Sequence, residues 1–347
     1  MDTPTSSAPV RLALVGAGGH GHAIQDAIED TEFVDLRAVY DVDETAMHDA
    51  AERFGGDPAA SYEALLRRDD LEAVVLATPN ALHRSQAEAA FQAGLHVLVE
   101  KPIANTVADG RAMIEAAESA DRLLMVGHDM RRSRGPRKTR RVLEEGGLGD
   151  VVSMEIHFSM DTVQHLPPDS WRLQPDQCPL LPIMQLGIHG IDLVHYFFRP
   201  ITEVFAFTRS VTAPPDVVDG VAATFRTEDG LQGTLISNYC TQPTFEYRIT
   251  GTEATLRSNA HKLWFRTGEN TTKHGGGPAE RDDFSAHSHE SYARQMEAFG
   301  RAIREGTDPE TDGWVGLRAL AVVEALHHSA ETSARQPVPD IRSPQAV

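Results

Sequence analysis

The chain has 347 residues, 41% hydrophobic and 24% charged, which predicts an ordinary globular protein of two domains. Its 32 basic and 51 acidic residues give a formal net charge of −19, which argues against nucleic acid or an anionic membrane as partner. Two cysteines, Cys178 and Cys240, exclude a disulfide framework and a four-thiolate zinc site, and no apolar run reaches the length of a membrane span. The polar start, Met1 to Pro9, lacks a basic-then-apolar signal pattern, so a frayed N-terminus and a cytoplasmic protein are expected.

Val10-Arg11-Leu12-Ala13-Leu14-Val15 reads as a short apolar strand. It runs into Gly16-Ala17-Gly18-Gly19-His20-Gly21, which fits G-x-G-x-x-G, and a helical pattern follows with Ala23, Ile24, Ala27 and Ile28. A glycine loop between strand and helix is the context of a dinucleotide site. It allows a tight turn, backbone approach to the pyrophosphate, and free amides at the helix N-terminus. The next strand, Val34 to Tyr40, ends at Asp41. An acid there suits the ribose hydroxyls of NAD and repels the extra phosphate of NADP, so NAD is placed ahead of NADP. Asp41 and Asp43 also suit capping of the following helix.

Ser61 is placed to cap a short helix through Leu66. Ala73-Val74-Val75-Leu76-Ala77 reads as a buried strand broken by Thr78-Pro79-Asn80, and a helix from about Ala81 to Ala93 carries His83. Gly94 ends that helix and leads to His96-Val97-Leu98-Val99-Glu100-Lys101-Pro102, a strand that closes in a charged pair before a proline. In a parallel sheet, ligands bind outside the carboxyl ends of the strands, so a lysine there can face both nucleotide and reactant. The simpler reading of Glu100 and Lys101 is a solvated surface pair. A helix over Val107–Ser119 and a strand over Leu123–Val126 complete an alternating pattern that predicts a doubly wound parallel sheet.

These residues resemble the Gfo/Idh/MocA oxidoreductases, the family of glucose–fructose oxidoreductase and inositol dehydrogenase. The resemblance rests on the glycine motif, on Ala77-Thr78-Pro79-Asn80 with His83, and on Ala93-Gly94-Leu95-His96 leading to Glu100-Lys101-Pro102. It agrees with the strand pattern, which ends an N-terminal Rossmann domain over 10–128 near His128, with residues 1–9 before it expected to be disordered. It also implies a C-terminal α+β domain over 129–347, with a large open, mostly antiparallel sheet that binds substrate and pairs subunits. Cofactor contacts are then expected from Gly16, Gly18, Gly19, His20, Gly21, Asp41, Thr78, Pro79, Asn80, His83, Glu100 and Lys101. Lys101 is expected beside the nicotinamide and the reacting carbon.

In the second half, a basic run, Arg131, Arg132, Arg134, Arg137, Lys138, Arg140 and Arg141, reads either as an anion site or as one exposed helix face paired with local acids. Val151 to Phe158 alternates as a strand, and a polar loop carries Trp171-Arg172. Pro182 suits a helix start, and Gln185, His189, Asp192 and Tyr196, spaced by four, three and four, share one helix face. The family resemblance expects a glycine-rich segment and then Asp-x-x-x-His here. His189 matches the histidine, Gln185 stands in place of the aspartate, and Cys178-Pro179-Leu180 replaces glycines. Glutamine cannot take a proton or hold charge. Lys101, His189 and Gln185 are the expected catalytic group, with Trp171, Arg172 and Asp192 toward substrate. Asp192 is also placed to supply the missing carboxylate or to serve a subunit interface.

Strands are expected over Val204–Thr208, Val217–Arg226, Gln232–Asn238, Phe245–Thr250, Ala254–Arg257 and Lys262–Phe265, then a mobile loop or a lid from Thr267 to Asp283 with Gly275-Gly276-Gly277. Helices over Glu290–Glu305 and Gly313–Ser333 precede a loose tail. His287, His289, His327 and His328 lack the spacing of a metal site. The expectation is an NAD(P)-dependent dehydrogenase of a sugar, cyclitol or related polyol, a homodimer or homotetramer through the C-terminal sheet. The alternatives are a glycosidase that oxidises, eliminates and reduces back with held NAD, and a non-catalytic dinucleotide sensor.

Overall fold

The structure, a computed structural model, describes residues 8–19, 21–259, 262–267, 280–283 and 290–342. Contacts divide the chain into two compact units. The first begins with β1 (Val10–Val15), α1 (Gly21–Glu29), β2 (Val34–Tyr40), α2 (Glu44–Phe54), β3 (Asp57–Pro58) and α3 (Tyr62–Leu66). It continues with β4 (Ala73–Leu76), α4 (His83–Gln92), β5 (His96–Glu100), α5 (Val107–Ser119) and β6 (Leu124–Gly127). The strands form one parallel sheet in the order β3-β2-β1-β4-β5-β6. β4 and β6 are buried along their whole length, as uninterrupted apolar strands in a sheet covered on both faces must be. Asp43 caps α2, its Oδ1 accepting from Thr45 N at 2.9 Å and Ala46 N at 3.2 Å, and Ser61 Oγ caps α3 through Ala64 N at 3.1 Å. α4 opens as a 3-10 turn over Asn80–Leu82, closed by Leu82 N donating to Pro79 O at 2.9 Å, rather than as one helix from Ala81.

The strand order reverses between β1 and β4. That is the switch point at which a doubly wound sheet opens a crevice for a ligand. The loop after β1 holds the glycines, the loop after β4 holds Thr78-Pro79-Asn80, and Lys101 follows β5 on the same carboxyl edge.

The second unit contains α6 (Arg134–Glu144), β7 (Val151–Asp161), a π-helical segment over Ile183–Gly187, α7 (Ile188–Phe197), β8 (Ile201–Arg209) and β9 (Gly220–Thr227). β10 (Gln232–Asn238), β11 (Cys240–Gly251), β12 (Ala254–Asn259), β13 (Lys262–Thr267) and β14 (Glu280–Asp283) follow. After α8 (Glu290–Glu305) and α9 (Gly313–Thr332) comes β15 (Gln336–Pro337). The sheet order is β14-β13-β12-β11-β7-β10-β9-β8-β15, antiparallel except where β10 meets β7. β9 alternates, with Val221, Ala223 and Phe225 buried and their neighbours outward. On the buried face Ile156, Ala223, Phe225 and Leu235 line an apolar cleft with Ile191 and Val194 of α7 and Val322 and Leu326 of α9. The other face carries the ion pairs Arg248–Glu155 at 3.3 Å and Arg226–Glu203 at 3.7 Å, together with Arg257–Glu246.

Three expectations need correcting. α8, inside the residues 129–347 read as one domain, groups with the first unit, where Met296 and Phe299 are fully buried in the core that α1 and β1 build. Each such side chain contributes about 1.5–3 kcal/mol of burial. Helical periodicity shows which face of α8 is apolar, not which core it covers. Second, Glu280–Asp283, read as part of a loop, is an edge strand on β13, held by main-chain pairing that charged side chains do not announce; residues 268–279 lie outside the described residues. Third, the basic run is not one exposed face, because Arg131 and Arg132 are buried. Among the described residues no helix is long and apolar enough to cross a membrane.

Candidate active site

The glycines after β1 differ in what they make possible. Gly16 has φ +94°, and a Cβ there would lie 2.7 Å from Ala77 O, so the loops after β1 and β4 touch only because residue 16 has no side chain. A Cβ on Gly21 would lie 2.2 Å from Gly16 O, which holds α1 against the strand end. Gly18 meets nothing within 4 Å, so its bare backbone faces open space rather than protein. Gly19 has φ +49°, and His20 lies outside the described residues. Asp41 reaches across from β2: Oδ2 accepts from Ala17 N at 2.7 Å and Gly18 N at 3.2 Å, and Oδ1 accepts from Asp43 N at 2.9 Å. The helix cap is therefore Asp43, and Asp41 belongs to the glycine loop. Gln25, which the sequence reading missed, is buried on α1 and donates from Nε2 to Ala17 O at 2.8 Å.

Two observations fit a dinucleotide here. Gly18 leaves a cradle that any Cβ would narrow. Asn80 Nδ2, on the adjoining loop, is a buried donor with no hydrogen-bond partner among the described residues. An unmet donor costs about 1–3 kcal/mol and marks a place where a group outside the chain is expected.

Glu100 is not a solvated surface residue. It is 4% exposed, beneath Lys101. Its carboxylate accepts from Lys101 N at 3.3 Å and from Gln295 Nε2 of α8 at 3.4 Å. A Cβ on Gly127 would lie 2.5 Å from Glu100 Oε1, so a glycine at the end of β6 is what makes room for the carboxylate. Beside it, burial, with Asp129 and Glu100 adding to it, pushes the Tyr292 hydroxyl well up, and Ser291 Oγ donates to Asp129 Oδ2 at 2.8 Å. His83 is fully buried, with Nδ1 3.0 Å from Pro102 O and Nε2 3.0 Å from Thr78 O. Burial lowers its basicity, against the pull of those carbonyls. Its two ring nitrogens face the chain, and the single N–H of the neutral ring donates to one of these carbonyls, so His83 bridges the loop after β4 and the turn after Lys101 and does not itself present a nitrogen to a ligand. Thr78 Oγ1 donates to Gln86 Oε1 at 2.5 Å. Gln86, Gly127 and Gln295 carried no signal in the sequence: each acts on a residue distant along the chain or in a neighbouring element.

In the second unit, Gln185 lies in the π-helical segment and His189 in the first turn of α7; both are 7% exposed. The single α-helical face expected from Pro182 is thus opened by a wide turn of the kind common at functional sites. Gly190 lets this helix press onto the sheet: a Cβ there would lie 2.9 Å from Ile156 Cγ2 and 3.2 Å from Leu235 Cδ1. Gln185 Oε1 accepts from Arg172 Nε at 3.3 Å, and its Nε2 donates to Cys178 Sγ at 3.5 Å. The Arg172 guanidinium stacks on Trp171, 4.4 Å from the ring centroid. The His189 ring lies 5.7 Å from that of Phe158. Trp171, Arg172 and Gln185 therefore come together, with His189 one turn on. Asp192 does not join them. It is buried in an ion pair with Arg131, whose Nε lies 3.0 Å from Oδ2. Arg131 in turn stacks on Tyr196 at 5.1 Å, so this pair helps to hold α7.

Residues 10–128 match the family described as "Oxidoreductase family, NAD-binding Rossmann fold", and residues 137–257 match the "GFO/IDH/MocA C-terminal domain". The chain belongs to the Gfo/Idh/MocA oxidoreductase family. As a member it is an NAD(P)-dependent oxidoreductase. D-xylose 1-dehydrogenase (NADP(+)) 2 of Haloferax volcanii is 29% identical over 328 residues, covering 93% of this chain and 98% of that protein. D-apiose dehydrogenase of Paraburkholderia graminis is 27% identical over 343 residues, covering 94% of this chain and 89% of its own length. A levoglucosan dehydrogenase solved with NADH and levoglucosan superposes with a TM-score of 0.88 at 22% identity, covering 96% of this chain and all of that one. Among the places where this Gfo/Idh/MocA chain departs from the expected motif, Leu180 is telling. It holds φ +52°, a left-handed conformation that the expected glycines adopt without strain.

Proposed function

We propose that the chain transfers a hydride between NAD and a secondary hydroxyl of a sugar, cyclitol or related polyol. The observation that carries this reading is the setting of Lys101: at the carboxyl edge of β5, over the buried Glu100, with the turn after it tied by His83 to the loop after β4. Two relatives bear the names of dehydrogenases of D-xylose and D-apiose, which supports the substrate class.

The nicotinamide, when bound, supplies the hydride acceptor. A secondary carbinol gives up hydride only as its hydroxyl loses a proton, so a base belongs within hydrogen-bond reach of that oxygen, a contribution of about 10²–10⁴-fold. Lys101 donates to the reacting oxygen and stabilises the growing negative charge. His189 takes the proton, directly or in relay with Lys101. Gln185, able to donate and accept, orients the substrate or His189. Gly16, Gly18, Gly21, Thr78, Pro79 and Asn80 hold the dinucleotide. Asp41 accepts from the ribose hydroxyls and repels an added phosphate, which favours NAD. The open face of the second sheet, with acids and arginines interspersed, suits a second copy of this chain.

The test is reduced-cofactor formation across cyclitols, aldoses, uronates and amino sugars, with NAD and NADP in parallel, for wild type and Lys101→Ala. Turnover with NAD that the alanine variant loses, while it still binds the cofactor, is expected. Full turnover by Lys101→Ala overturns the assignment.

A further inference from the structure

Arg172 is half-buried, and among the described residues it makes no ion pair. Its side-chain hydrogen bond goes to the Gln185 amide oxygen, at 3.3 Å from Nε, and the buried Tyr239 hydroxyl is its polar neighbour. Both are neutral. By contrast, the shielded Arg131 and Arg304 each meet a carboxylate, Asp192 and Glu72. A guanidinium keeps its charge at any working pH and carries five N–H donors. This one is fixed on one face by Trp171 and at Nε by Gln185, so its plane is set before any ligand arrives.

A carboxylate at position 185, which the resemblance to the family led the sequence reading to expect, would neutralise Arg172. Glutamine keeps the hydrogen bond and leaves the positive charge in place. A shielded charge without a counter-charge is costly, and a planar guanidinium pairs best with a carboxylate through two parallel hydrogen bonds. We infer that Arg172 selects a substrate that brings its own carboxylate, a sugar acid or cyclitol acid rather than a neutral polyol. A phosphate dianion would bring one charge more than Arg172 offsets. The inference rests on the hydride-transfer reading above and names the substrate class of that same site. The charge on residue 185 is its switch: glutamine for acids, aspartate for neutral rings.

The test compares matched pairs, D-glucuronate with D-glucose and D-galacturonate with D-galactose, and adds D-glucose 6-phosphate as a third arm. kcat and KM are measured for wild type, Gln185→Asp and Arg172→Met, with NADH binding to each variant as the check that it is folded. Wild type is expected to favour the acids in kcat/KM by about tenfold or more. Both variants are expected to lose that preference chiefly through a raised KM for the acid. Equal kcat/KM for acid and neutral partners, a preference for the phosphate, or a preference untouched by Gln185→Asp overturns the inference. Calorimetric binding of the uronates to the NADH complex decides the matter without turnover. Acid binding that Arg172→Met abolishes upholds the inference even if hydride transfer fails on every substrate. Absence of acid binding overturns it even if neutral sugars are oxidised.

Discussion

Gly16 and Gly18 belong to one motif, but the structure separates what each does, and two alanine substitutions read the difference. At Gly16 the backbone holds φ +94°, and an added Cβ would meet Ala77 O at 2.7 Å. The conformation costs an L-residue about 1–2 kcal/mol, and forcing a methyl into packed backbone adds about 1–3 kcal/mol. Gly16→Ala is thus expected to lower unfolding free energy by about 2–5 kcal/mol, because the contact it breaks joins the loops after β1 and β4. At Gly18 φ is not left-handed, and the Cβ would meet nothing within 4 Å. Gly18→Ala is expected to change stability by less than about 1 kcal/mol, with the smaller entropy of the unfolded chain in its favour. That same methyl would stand where pyrophosphate must approach the backbone, so NAD affinity is expected to fall by about tenfold or more. Urea unfolding of the free protein and NADH fluorescence titration measure the two quantities. A Gly18→Ala protein that binds NADH like wild type refutes the placement of the dinucleotide. One that is as unstable as Gly16→Ala refutes the reasoning from open space.

Glu72 is held by Arg304 of α8, with Nη1 at 2.6 Å, and by Arg11; hydrogen bonding to Arg304 outweighs the effect of burial and lowers the Glu72 carboxyl to about 2. Its folded value lies below its unfolded one, so the stability it contributes is complete above about pH 4.5 and is lost as pH falls toward 2. Glu72→Gln is expected to cost about 1–2 kcal/mol near neutrality, allowing for solvent screening, and to flatten the acid limb of stability against pH. An unchanged limb would show that α8 is not tied to the first unit by this pair. For the buried pair, Arg131→Met or Asp192→Leu alone is expected to cost about 3–5 kcal/mol, and the double variant to recover most of it. If Asp192→Leu instead folds as wild type does but loses turnover, Asp192 acts in the reaction and not in holding α7.

Much of the first sheet was legible because its strands are buried on both faces and so appear as unbroken apolar runs between Gly, Pro and Asn breaks. β4 and the middle of β5 are of this kind, and β1 is broken only by Arg11. In the second unit the alternation of β9 and β10 was equally plain. What escaped was set by tertiary partners. The amphipathic pattern of α8 is visible, but nothing in it says that Phe299 packs under α1 and not in the second sheet. The four charged residues of β14 carry no strand signal because an edge strand needs only main-chain partners. The π turn at Gln185 was hidden because a spacing of four suits an α-helix and a wider turn alike.

The candidate site was legible where chemistry is written in consecutive residues, and opaque where a residue's role depends on its neighbour in space. Gly16 to Gly21 and Glu100-Lys101-Pro102 are of the first kind. Gln295 is of the second: it meets Glu100 across 195 positions of chain, and no local pattern predicts that a glutamine on a late helix closes the pocket of an early carboxylate. Gln185 shows why the distinction matters for function. As letters, glutamine in place of aspartate is a subtraction, a base weakened by the loss of a charge. In space its oxygen lies on Arg172, whose charge an aspartate would have cancelled. The same substitution is then an addition, a guanidinium left positive beside the helix that carries His189. Electrostatic preference for an acid follows from that pairing, which sequence spacing alone cannot show because residues 172 and 185 come together only through the loop that turns at Leu180.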